Sequence, residues 1–189
     1  MKNISQKADL IAREESKTNG APAIIRYELS YNKAVELAQK FKADVDIVKI
    51  GTSLMDIKLG ACLKENRIAD HVKEGKIFAE QFLKEFNLPQ IIVAKILNCI
   101  EAHHKAVPFN GIEAEICANA NCYMFIHPRG VMSFIADLWK RFDDLNAILD
   151  QAEAKLDEKW EILSLDICKR ELTEYYKQFK KIFAEARKN

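Results

Sequence analysis

Apolar residues recur every three to four positions through most of the chain, the spacing of one buried helical face. Asn3 or Ser5 can cap a first, polar helix that ends near Thr18-Asn19-Gly20, where Asn-Gly signals a break. Pro22 opens a second helix through Lys42, with Ile24, Ile25, Leu29, Val35, Leu37, Ala38 and Phe41 on its apolar side. Asp44 caps a third, whose Val45, Ile47, Val48, Ile50 and Leu54 are apolar nearly all round, as suits a helix at a domain centre. Its C-terminal end carries Met55-Asp56. Residues 58–69 mix Lys, Gly, Asn and Arg and read as a loop. His71 through Phe86 forms an amphipathic helix that buries Val72, Ile77, Phe78, Phe82 and Leu83. Pro89 suits the first turn of a helix reaching His104, and another helix follows the turn at residues 107–111, running through about Phe125. His127-Pro128-Arg129-Gly130 breaks it.

From Met132 onward the pattern predicts two long helices. Phe134, Ile135, Leu138, Trp139, Phe142, Leu145, Ile148 and Leu149 mark one. Trp160, Ile162, Leu163, Ile167, Leu172, Tyr175, Tyr176, Phe179 and Ile182 mark the other. The expected fold is therefore all-α: an N-terminal helix in residues 1–21, a bundle of about five helices over 22–126, and a helical extension over 127–189. That extension packs on the bundle or forms a homodimer, and its Trp and Tyr side chains suit either.

Composition narrows the class without naming a function. A chain of 189 residues with 49% apolar side chains can bury one real core, and six glycines with four prolines suit long regular segments. Twenty-nine basic against 28 acidic residues leave a net charge of +1, which gives no field for nucleic acid or an anionic membrane. No apolar run approaches the ~20 residues that cross a bilayer, and the polar N-terminus has no signal-peptide core. The five cysteines therefore read as reduced thiols in a cytoplasmic protein. They include no Cys-x-x-Cys pair for a thiolate zinc site, and Cys117 and Cys122 read as core volume.

Candidate chemistry sits at four places. Asp56 is an acid at the end of the most apolar helix, hard to justify by packing alone. His71 follows Asp70 at a helix start, where the helix dipole favours neutral imidazole, the form that binds metal or phosphate. His103 and His104 are consecutive, so on a continuing helix they point about 100° apart and one of them faces a common site. Asn119-Ala120-Asn121 lies in the helix after them.

The order Met55-Asp56-Ile57, His71, His103-His104, Asn119-Ala120-Asn121 resembles the HD-domain phosphohydrolase superfamily over about residues 22–126. That family runs an early His, a His-Asp doublet, later histidines and a late Asp, which converge on one or two divalent metals. The resemblance implies a helical bundle, a divalent metal of the Mn, Fe, Co, Ni or Zn kind if one is bound at all, and a phosphorylated or anionic small molecule as ligand.

The chain departs from the family where the first metal would be held. The early His falls near Arg26 or Tyr27, the doublet His is Met55, and Asn121 stands best for the late Asp. Guanidinium cannot ligate a metal, and a thioether is a poor ligand for these ions. Arg26 is expected to reach Asp56 as its counter-charge, and Lys58, where the family has Gly, to be a phosphate contact. His71, His103 and His104 remain as ligands beside Asp56, and Asn121 as a hydrogen-bonding group. The reading taken is a degenerate, metal-poor site that binds an anion, with catalysis by the family's mechanism impaired; the alternatives are an active phosphohydrolase using Asp56, His71 and His103 or His104, and a non-catalytic helical interaction or dimerisation module.

Overall fold

The computed structural model describes residues 1–188, and among them there is no strand. The chain forms α1 (Lys2–Asn19), α2 (Ile24–Phe41), α3 (Val45–Leu54), α4 (Leu59–Lys64), α5 (His71–Lys84), α6 (Gln90–Glu101), α7 (Ile112–Ile126), α8 (Pro128–Leu138), α9 (Leu145–Ile162) and α10 (Asp166–Ala186). Short 3-10 turns precede α5 at Ile68–Asp70 and follow α6 at Ala102–His104. No described helix is long and apolar enough to cross a membrane.

The helix boundaries have local causes. Gly20 closes α1 at φ 75°, a left-handed conformation that glycine enters without Cβ strain. One Asp44 carboxylate oxygen accepts from the backbone N–H of Asp46 (2.9 Å) and Ile47 (3.0 Å), satisfying donors at the head of α3. Pro128 occupies the first turn of α8, so the expected break at 127–130 is a joint between two helices.

Residues 58–69 are not a loop: α4 and a 3-10 turn fill most of that stretch, because Leu59, Leu63 and Ile68 face a common cavity. The two long C-terminal helices are α9 and α10, but neither matches an expected one: the positions Phe134 to Leu149 are divided by the break between α8 and α9, and those from Trp160 to Ile182 by the break between α9 and α10. Asp144 starts α9 by accepting from the Ala147 N–H at 2.7 Å. Ile25, Phe41 and Ile77, expected to be buried, are exposed at the margins of their apolar stripes.

The centre of the molecule is α7. It is buried almost all round and touches α2, α3, α6, α8, α9 and α10. Next to it α3 is in contact with α1, α2, α5 and α6. The α9–α10 junction is tied to α7 by Asn119. Its amide nitrogen donates to the Glu115 carbonyl (2.8 Å) and the Ser164 hydroxyl (2.9 Å), and its oxygen accepts from the Ser164 and Leu165 N–H groups, both at 3.1 Å. All of its hydrogen-bonding capacity is used for architecture.

Where α3, α6 and α7 meet, Gly51 allows the backbones to approach. A Cβ there would stand 2.4 Å from the Cys99 Cβ and 3.3 Å from the Cys117 Sγ. Helix propensity favours alanine over glycine by up to ~1 kcal/mol, but overpacking costs about 1–3 kcal/mol. Gly51→Ala is therefore expected to destabilise the protein, seen as a lowered urea midpoint; an unchanged or raised midpoint contradicts this packing.

Candidate metal centre

Three helix ends and the middle of α7 bring the chemistry together. Asp56 lies in the turn after α3, His71 opens α5, His103 and His104 form the turn after α6, and Asn121 sits mid-way along α7. Only 12% of the Asp56 side chain is exposed. Its Oδ2 accepts from the Asn121 amide at 3.1 Å. Its Oδ1 is 3.5 Å from the His103 Nε2 and 3.7 Å from the His71 Nε2.

The imidazole tautomers follow from their partners. His71 Nδ1 is 2.6 Å from the Ile68 carbonyl, and His103 Nδ1 is 2.6 Å from the Ile100 carbonyl. A carbonyl only accepts, so both rings carry a hydrogen on Nδ1 and turn Nε2 inward. His104 does the same against a carboxylate, with Nδ1 2.8 Å from the Glu158 Oε1. Its Nε2 faces the His71 Nε2 at 3.3 Å, one lone pair against another.

Protonation does not relieve that contact. Burial pushes His104 down to about 3 despite its bond to Glu158, and burial likewise lowers His71 against the pull of Asp56. Burial alone would raise the Asp56 pKa, but the adjoining His103, with His71 and His104, holds it well below the usual carboxylate range.

The donor set fits a cation. His71, His103 and His104 have ligand atoms all within 4.8 Å of one another. Ligands at about 2.1 Å from one ion stand at most about 4.2 Å apart, within reach of small side-chain adjustments. His103 Nε2 is buried with no hydrogen-bond partner among the described residues, which a metal ligand would be before it meets its ion. The expectation that one of the paired histidines faces the site is corrected: both do. Residues 102–104 leave the α-helix, so the 100° separation does not apply to them.

Two other expected roles are changed. Arg26 does not pair with Asp56; its Nη2 donates to the Asp137 carboxylate at 2.9 Å. Its guanidinium also lies against Phe125 (5.5 Å) and Phe134 (5.1 Å), because α8 packs across α2 and delivers both Asp137 and Phe134. Lys58 points its ammonium over the Phe78 ring at 4.6 Å and does not line the cavity. Asn121 is placed as expected, and its Oδ1 has no hydrogen-bond partner among the described residues.

Beside the cluster is a cavity of about 550 Å³. Arg26, Asp56, His71, His104 and Asn121 line its polar part. Leu59, Leu63, Ile68 and Leu138 line its apolar part. The C-terminal helices contribute Asp137, Lys155 and Lys159 to the same walls, with Glu158 just behind His104. Sequence reasoning missed these four. One signal was available: Lys159 falls between Leu156 and Leu163 on the apolar stripe of α9, where a lysine is out of place.

A solved structure described as a predicted HD superfamily hydrolase, from an uncultured Thermotogales bacterium, superposes with a TM-score of 0.58 over 90% of this chain and 92% of its own. The chain shares the fold of that structure. The two sequences are 20% identical, so the likeness is one of fold. Ninety per cent of the chain is more than residues 22–126 alone, so the shared architecture reaches beyond them. No protein-family model matches the chain, and no curated protein matches it.

Two outcomes test this geometry. In metal-free protein, an unfolded imidazole takes up a proton near pH 6.5 while folded His104 resists until about 3. The unfolded state then binds more protons, so stability is lost as pH falls through that interval; urea midpoints in chelator are expected to drop steadily from pH 7 to 5, and a flat profile contradicts neutral imidazoles. Arg26→Ala leaves Asp137 with only the exposed Lys140 as partner, and is expected to cost about 3 kcal/mol by chemical denaturation.

Proposed function

We propose that Asp56, His71, His103 and His104 hold one divalent transition metal, and that the protein is a hydrolase of phosphoesters. The observation that carries this reading is the inward Nε2 of three imidazoles, each fixed by its Nδ1, around an ionised carboxylate. Three imidazole nitrogens and one carboxylate suit Mn, Fe, Co, Ni or Zn better than calcium.

The residues around the ligands support the same reading. Asn121 holds one Asp56 oxygen and leaves the other facing the imidazoles. Glu158 orients His104, and its own pKa is lowered: burial pushes it up, but the hydrogen bond from His104 and the charge of Lys159 outweigh this. A bound ion would supply Lewis acidity and a water acidic enough to attack phosphorus at neutral pH. Asn121 meets Asp56 at Oδ2 while the imidazoles face Oδ1, which is consistent with one metal rather than two. The departures at Arg26, Met55 and Asn121 favour the second reading, an anion-binding module without turnover.

Metal content after dialysis against Mn, Co, Ni or Zn, with hydrolysis of an aryl phosphate, separates the readings. About one ion per chain and measurable turnover are expected. His103→Ala should weaken metal affinity by about tenfold or more, and Asp56→Ala should abolish turnover. Protein that takes up none of these ions sinks the metal reading. Metal without turnover leaves the binding module.

A further inference from the structure

Three cations gather around one aromatic ring in the cavity wall. The Arg26 guanidinium carbon, the Lys159 Nζ and the Lys155 Nζ lie 5.5, 5.6 and 5.9 Å from the Phe125 ring centre. Like charges so placed repel, and the carboxylates beside them are shared: Asp137 meets Arg26 and also Lys140. Glu158 already accepts from His104 and Lys155, and Lys159 reaches it only at 3.4 Å. Across the cavity as a whole, five basic residues face two carboxylates, in a protein whose net charge is +1.

Lys159 is the member hardest to explain by folding. It is wholly buried, and its second neighbour is the His104 Nδ1 at 3.3 Å, a nitrogen whose proton goes to Glu158. Arg26 is 3% exposed, and its Nε has no hydrogen-bond partner among the described residues. A buried cation with a shared counter-ion is unfavourable, and an apolar residue on the α9 stripe would pack there at no such cost. The imbalance is relieved when an anion enters.

We propose that Arg26, Lys155 and Lys159 form an oxyanion seat in this cavity for a phosphate-class group whose organic remainder is apolar, with Lys159 the specificity-determining residue. Three cationic donors in a low-dielectric wall suit a doubly charged tetrahedral oxyanion, and Arg26 can offer it a second N–H. Leu59, Leu63, Ile68 and Leu138 shape the rest of the space for apolar groups. The assignment takes its substrate class from the phosphoester reading, but the seat itself needs no metal.

Calorimetric titration of chelator-treated protein with inorganic phosphate and with phenyl phosphate tests it, alongside separate measurement of metal stoichiometry. Phosphate is expected to bind without metal, and phenyl phosphate about tenfold or more tighter. Lys159→Gln should weaken both about tenfold or more while metal stoichiometry stays that of the parent. Lys58→Gln, outside the cavity, should match the parent. If Lys159→Gln does not fold, Lys155→Gln carries the test, with binding weakened about threefold or more. Phosphate binding that is absent in the parent, unchanged in Lys159→Gln, or equally weakened in Lys58→Gln overturns the seat. Equal affinity for the two ligands overturns its apolar half. Absence of bound metal with phosphate affinity intact would sink the metal reading alone.

Discussion

One buried carboxylate constrains much of this molecule. Asp56 lies at the end of an apolar helix, ionised and nearly cut off from water, so it must be met by donors or positive charge. Asn121 satisfies one oxygen, and His71 and His103 stand off the other. Each imidazole is in turn fixed by a backbone carbonyl or by Glu158. Those contacts set where α5 begins, where α6 ends and which residue of α9 approaches. A compact apolar core of the same helices could tolerate small rotations; a charge with hydrogen-bonded neighbours on three elements cannot.

The molecule divides its labour between the bundle and the C-terminal helices. The bundle supplies the inward imidazoles and the carboxylate. The helices after residue 127 supply the groups that surround them: Asp137 for Arg26, Glu158 for His104, and Lys155 and Lys159 for the cavity wall. Asn119 explains how this is held in register, since it spends three of its four hydrogen bonds on the α9–α10 junction. Two asparagines two positions apart thus have different work: Asn119 positions the helices, and Asn121 faces the cavity. The C-terminal segment is part of the site, whatever else its surface does.

The charge pattern links fold to chemistry. The protein is nearly neutral, yet its cavity concentrates cations beside a centre of imidazole nitrogens and one carboxylate. An ion at the His cluster and an anion at the Phe125 wall would neutralise different halves of that field. Burial makes both interactions stronger than they would be at a surface, because the surrounding dielectric is low.

Local signals carried the helices and the ligands: Asn-Gly ends α1, Asp44 caps α3, prolines open segments, and Asp56, His71, His103 and His104 stand out as polar groups at helix ends. These depend on neighbours within one or two turns, which the sequence alone determines. Partners distant in the chain did not follow from it. Arg26 was expected at Asp56 and is at Asp137, 111 positions away, because only the packing of α8 across α2 chooses between two available carboxylates. Lys58 is drawn to the Phe78 ring, and both paired histidines reach the site because the helix ends before them. Lys159 could be seen as a lysine on an apolar stripe, but which wall that stripe faces was decided by tertiary structure. Local propensity sets which residues lie at a helix end; long-range packing sets what those ends meet.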